Sequence, residues 1–248
     1  MKGESEKIYV KLSPENNEVL LSGIRFVDFI DCTPIPFENI MLLKADYIGE
    51  RHCHNFSLLE GVEDITNFAI EGAYCYGDLC LVDYADGTSI CQLPEEHIAE
   101  LLYLAHMHKP LKSPFFESLQ NNYAFLSHDD GWYCKLYCKQ WHIPISMLCT
   151  KLTRSIQRAF GVEIISLTDS LVEKITELSA RGLLIQLDIS KSKCKQTKAN
   201  KIATISLYEV GGYGNMDDLF NNLEQVKSKI AFETQLESQA GCGAILPL

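Results

Sequence analysis

Residues 123–138 read YAFLSHDDGWYCKLYC, and the reading of this stretch decides what kind of sheet the chain builds. Asp130-Gly131 is a strong two-residue hairpin signal, because type I′ turns need positive φ at both central positions. Strand-forming residues alternate on either side of it. With those two residues as the turn, Ser127 opposes Cys134, Phe125 opposes Leu136 and Tyr123 opposes Cys138. The other face pairs His128 with Tyr133 and Leu126 with Lys135. Successive side chains on a strand point to opposite faces. His128 and Asp129 therefore diverge, although they stand side by side in the sequence. Cys134 and Cys138 are four strand positions apart, about 13 Å, too far to act as a ligand pair.

Upstream, the loop SPFFESLQNN (113–122) follows a helix expected over about 94–108, LPEEHIAELLYLAHMH. Pro94 sits at its start, Glu95 and Glu96 favour the positive end of the helix dipole, and Lys109-Pro110 ends it. In residues 73–93, AYCYGDLCLVDYADGTSICQL, the turns Gly77-Asp78 and Asp86-Gly87 predict a three-stranded antiparallel meander with Cys75 facing Cys80. The first ninety residues are otherwise β-rich. KIYVKL (7–12) and EVLLSGIRFVDFI (18–30) read as strands about a polar turn, and IMLLKADY and RHCHNFSL as a hairpin about Gly49-Glu50. VEDITNFAIEG (62–72) fits a short helix or a strand.

Downstream the texture turns helical. Ile145, Leu148, Leu152, Ile156 and Phe160 mark one side of a helix closed by Gly161, with Lys151, Arg154 and Arg158 on another. Ser170 and Glu173 suggest a capping box for a second helix that stops at Gly182. LLIQLDI and KIATISLYEV form a predicted hairpin around the lysine-rich SKSKCKQTKAN. Asn215 is the expected cap of a last helix, MDDLFNNLEQVKSKI.

The expectation is an α+β fold. An antiparallel, hairpin-rich and acidic part spans 1–140, and a helix-helix-hairpin-helix part with a second small sheet spans 141–248. No flexible linker separates them, so one continuous domain also fits. The 248 residues carry a net charge of -11, unevenly placed. Residues 1–138 hold 9 Lys/Arg against 22 Asp/Glu, whereas 139–205 hold 11 against 5. An acidic first half repels phosphates and disfavours a broad nucleic-acid surface. No apolar run approaches the roughly 20 residues of a spanning helix, and MKGESEKIYV lacks the apolar core of a signal peptide. A cytoplasmic location follows as the expectation. The 10 cysteines contain no C-x-x-C and read as reduced, mostly packed thiols.

Three functional readings compete. The first is a non-enzymatic interaction or regulatory protein, of the immunity or inhibitor type, that needs no cofactor. It would bind a protein partner through Lys151, Arg154, Arg158, Lys193 and Lys195, and it follows from the polarised charge and the lack of nucleophile, phosphate-loop or dinucleotide motifs. The second is a small enzyme holding zinc or iron with His52, His54 and His128. Residues two apart on a strand point the same way at about 7 Å, so His52 and His54 could share a cation. The third is a winged-helix DNA binder, from the order of two helices and a lysine-tipped hairpin. Its recognition helix would present Asp169, Glu173 and Glu177, the wrong sign for DNA.

Residues 98–138, with HMHKPL, SPFF and HDDGW, resemble a family of soluble proteins from Bacillus-like bacteria, some of whose members carry the label oxalate:formate antiporter. The likeness extends through NMDDLF. That label does not suit a chain without membrane helices. The resemblance implies a shared fold and a Gram-positive, intracellular setting, and it carries over no catalytic residue.

Overall fold

Asp130-Gly131 and their neighbour Asp129 lie outside the described residues, but the strands on either side keep the expected register. A computed structural model describes residues 4–44, 51–71, 78–106, 108–128, 132–161, 166–191, 201–213, 216–221, 230–238 and 245–247. Strands β7 (Tyr123–His128) and β8 (Tyr133–Cys138) pair antiparallel, with Tyr123 against Cys138, Phe125 against Leu136 and His128 against Tyr133. The chain is α+β, divided into one compact unit of residues 13–144 and another of residues 1–12 with 145–248. Residues 1–12, most of the first strand, group with the C-terminal unit.

In the 13–144 unit the strand order is β2-β8-β7-β6-β3-β5-β4. The further strands are β2 (Glu18–Ser22), β3 (Asn39–Lys44), β4 (His52–Cys53), β5 (Phe56–Glu60) and β6 (Leu79–Asp83). Helices cover both faces. On one, Phe26 and Phe29 of α1 (Phe26–Cys32) meet Phe125, with Phe29 stacked on it at 4.7 Å between ring centroids. Phe68 of α2 (Gly61–Glu71) packs edge-on against Phe26. On the other, Leu101 and Leu104 of α3 (Glu95–Leu104) join Met41, Val82, Ala124 and Leu126 in one buried cluster. Each buried Phe or Leu contributes about 1.5–3 kcal/mol, and an aromatic pair about 0.5–1.5 kcal/mol more. A strand covered on two sides has no wet face, so Leu126 is as buried as Phe125.

Three expectations fail here, two of them because local polar chemistry prevails over the apolar pattern. EVLLSGIRFVDFI is not one strand: Gly23 turns at φ 81°, and Asp28 accepts from the Arg25 backbone N–H at 3.2 Å to open α1. Phe26 and Phe29, three apart, then share its buried side. The third strand of the meander over 73–93 does not form, because Asp86 caps rather than turns; residues 73–77 lie outside the described residues. The Asp86 carboxylate accepts from Thr88 N at 2.9 Å and from Thr88 Oγ1 at 2.6 Å, starting a 3-10 turn over Gly87–Gln92. Cys75 lies outside the described residues. Helix α3 stops at Leu104 rather than near 108. The segment 62–72 resolves as helix, α2.

The other unit orders its strands β12-β11-β10-β9-β1. They are β1 (Glu4–Ser13), β9 (Leu183–Lys191), β10 (Lys201–Glu209), β11 (Ile230–Ser238) and β12 (Ile245–Pro247). The hairpin β9–β10 is as expected, while its lysine-rich connection lies outside the described residues. The strands of this unit outnumber the single hairpin expected. β1 pairs with β9, and Ile230, expected on a helix, begins a strand beside Tyr208. The last helix, α6, is described only over Met216–Asn221. Helices α4 (His142–Phe160) and α5 (Asp169–Ser179) precede the hairpin. Thr168, not Ser170, caps α5: its hydroxyl accepts from Leu171 N at 3.4 Å. Gly182 and Gly211 hold left-handed backbone where β9 begins and β10 has ended. Tyr9 fastens that corner, its hydroxyl donating to Gly211 O at 3.0 Å and accepting from Tyr213 N at 3.2 Å.

Candidate functional site

Helix α4 carries a candidate binding surface. Ile145, Leu148, Leu152 and Ile156 face inward and are buried. Turned away from them, Ser146, Thr150, Thr153 and Gln157 recur at three- and four-residue steps, so they form one row along the helix. With Cys149 and Arg154 they make one wall of a groove, and Ser166, Leu167 and Val172 make the other, enclosing about 470 Å³. Thr150 folds its hydroxyl back onto Ser146 O at 2.8 Å. Burial pushes the Cys149 thiol up to about 11, so it stays protonated and unreactive at neutral pH. The lining holds hydroxyls, an amide and a guanidinium beside apolar surface from Leu167 and Val172, and its polar groups suit hydrogen-bonding and pairing with a carboxylate.

The expected basic stripe divides. Arg154 and Arg158 lie exposed on α4, one turn apart. Lys151 does not belong with them: it is 7% exposed, and its Nζ lies 3.0 Å from Glu6 Oε1 on β1. Lys151 shares the helix side of Leu148 and Leu152, and its long aliphatic stem lets it pack there while the ammonium meets a carboxylate. It is an internal tie between α4 and β1, not a partner contact. Lys193 and Lys195 lie outside the described residues. On α5, Asp169, Glu173 and Glu177 are exposed, and Glu177 is paired with Lys174 and Arg181.

The histidines are placed differently from the sequence expectation. His52 is on β4, its Nδ1 3.3 Å from Ser57 Oγ. His54 is not two steps along the same strand. His54 and Asn55, at φ 51° and 69°, are the centre of a tight turn whose flanking residues Cys53 and Phe56 pair directly. Positive φ at both positions is the type I′ geometry, which Asn favours and which takes His54 out of strand alternation. His128 ends β7, on a strand adjoining β6 and β8 rather than β4. Among the described residues, no three of His, Cys, Asp and Glu gather to hold an ion. Past the end of α3, His108 stacks on Tyr103 at 4.5 Å, and the His106 and His108 rings stand 6.2 Å apart.

One contact in the 13–144 unit joins residues far apart in sequence. Cys53 Sγ of β4 meets Cys91 Sγ of the 3-10 turn at 2.7 Å. The remaining described thiols are packed in the interior or in the α4 groove. Burial pushes Cys80 and Cys134 up to about 12 and Cys138 up to about 11.

No family model matches the chain, and no curated protein or solved structure matches it. Among the described residues, no helix is long and apolar enough to cross a membrane.

The row of hydroxyls on α4 was open to reading from the sequence, since Ser146, Thr150, Thr153 and Gln157 keep helical spacing. Attention to apolar and basic positions passes over it. That the row faces Ser166, Leu167 and Val172 across a groove has no sequence signal, because it depends on where α5 packs against α4.

Proposed function

We propose that this is a non-enzymatic cytoplasmic interaction protein, of a regulatory or inhibitor type, that binds an acidic segment of a protein partner along α4. The observation that carries this reading is the hydroxyl-lined groove with Arg154 in its wall and Arg158 one turn beyond. Charge complementarity supports it, because residues 139–205 hold 11 Lys/Arg against 5 Asp/Glu in an otherwise acidic chain. A carboxylate from the partner would take a bidentate guanidinium contact, and the hydroxyl row would accept and donate to its backbone. Catalysis is not part of the proposal, since among the described residues the groove lining offers neither carboxylate nor imidazole and its thiol is protonated. Duplex DNA fits less well, because the exposed side of α5 presents Asp169, Glu173 and Glu177 to any phosphate.

The test is affinity capture with the wild-type chain beside Arg154→Glu and Arg158→Glu. The expected result is a specific protein held by the wild type at low salt and lost from both variants. Their circular dichroism should match the wild type, because exposed charges contribute little to stability. Equal capture by wild type and variants would remove the groove from the binding surface, and no capture at all would remove the interaction reading.

A further inference from the structure

We propose that Cys53 and Cys91 form a thiol–disulfide exchange site, closing an internal disulfide when a low-molecular-weight disulfide reaches Cys91. Their sulfurs stand 2.7 Å apart, although 38 positions separate them in the chain. A bond of about 2.05 Å needs less than an ångström of further approach. The move is easy for this pair, because β4 is a two-residue strand that is last in the sheet order among the described residues and pairs with β5 at His52–Ser57 and Cys53–Phe56. Access is also provided: Cys91 is exposed on its 3-10 turn, whereas Cys53 is half-buried behind it.

The other described cysteines contrast with these two. Cys32, Cys80, Cys134 and Cys138 are buried. Cys134 Sγ lies 3.5 Å from Ser127 Oγ and Cys138 Sγ 3.3 Å from Gln140 O. Simple packing of small apolar side chains accounts for them and leaves Cys53–Cys91 as the pair with both reach and access.

The exchange balances without any further reagent. The Cys91 thiolate attacks one sulfur of the small disulfide, forms a mixed disulfide and releases one small thiolate. Cys53 gives its proton to that thiolate and attacks Cys91 Sγ, forming the internal bond and expelling the second thiolate. Two protein thiols are oxidised, and one small disulfide is reduced to two thiols. Burial and the neighbouring Cys91 push Cys53 up to about 11, which gives it the role of the second, resolving sulfur. The bond would fasten the β4 edge to the segment that leads into α3.

The decisive experiment incubates the reduced, full-length protein under native conditions with oxidised glutathione, followed by intact mass and a non-reducing peptide map. The expected product has lost two hydrogen atoms, links the Cys53 and Cys91 peptides, and no longer takes iodoacetamide at Cys91. Cys53→Ser should trap glutathione on Cys91, and Cys91→Ser should give neither the adduct nor the bond. A wild-type protein that stops at a glutathione adduct, or that joins other cysteines instead, overturns the proposal. The wild-type map decides this even if a variant folds poorly.

Discussion

Gly182 meets Gly211 where the chain enters β9 and leaves β10, and the two glycines separate two costs that an alanine would meet. Both have positive φ, 92° and 83°. An L-residue forced into that region costs about 1–2 kcal/mol. Around Gly211 a Cβ would find nothing within 4 Å, so Gly211→Ala meets only that strain. At Gly182 the same Cβ would overlap the Gly211 carbonyl and stand 3.0 Å from its Cα. No rotamer relieves a clash between backbone atoms, and overpacking adds about 1–3 kcal/mol. Shifting Gly211 would disturb the Tyr9 hydroxyl bond to its carbonyl at 3.0 Å. Shifting Gly182 would disturb the Val210 N–H bond to its own carbonyl at 2.9 Å. Alanine stiffens the unfolded chain in both variants and returns about 0.4–1 kcal/mol. The net expectation is a loss of about 1 kcal/mol for Gly211→Ala and about 3 kcal/mol for Gly182→Ala. At a urea slope of about 2 kcal/mol/M, their midpoints should differ by about 1 M. Far-UV circular dichroism is the suitable probe, because Trp132 and Trp141 both lie in the 13–144 unit and report on that unit instead. Losses equal to within about 0.5 kcal/mol would refute the close approach of the two backbones.

Other expectations follow from buried charge. Lys151→Met should cost less than about 1 kcal/mol, because an apolar side chain of similar length replaces the buried stem and the more exposed Glu6 can return to water. Glu6→Gln should cost more, since it leaves the ammonium in place without its carboxylate; urea unfolding that gave the reverse order would contradict the tie between α4 and β1. Asp83 is buried and accepts from Tyr123 N at 2.6 Å and Asn122 N at 2.9 Å, yet burial raises its carboxyl above the usual range. A carboxyl raised in the fold stabilises it fully below the unfolded value near pH 4, and that contribution is lost as pH rises through the folded value. The stability of the wild type relative to Asp83→Asn should therefore fall over that window and then level off, as measured by urea titrations at successive pH values. A difference that rose with pH would reverse the assignment.

The β7–β8 register shows how much local sequence could decide. A single turn dipeptide and strict alternation fix which residues face each other, because a slip of one position would turn every side chain over. The hairpin β9–β10 and the apolar stripe of α4 are local in the same way. Reading weakened where one signal serves two structures. Asp86-Gly87 suits a hairpin turn and also a 3-10 cap, and His54-Asn55 interrupts what the sequence presents as a strand. Lys151 was misplaced because its charge says nothing of Glu6, 145 positions away and brought beside it by the pairing of β1 with β9.

By itself the sequence determined the α+β class, the β7–β8 and β9–β10 pairings, most helix positions and the polarised charge, since each depends on residues within a few positions of one another. Tertiary structure alone decided that β1 joins the C-terminal sheet and that helices cover both faces of the β7–β8 strands. It also decided that a row of hydroxyls on α4 becomes the wall of a groove, and that Cys53 meets Cys91. All of these are contacts between distant segments, fixed by which buried surfaces fit together, and residue spacing along a chain carries no record of that fit.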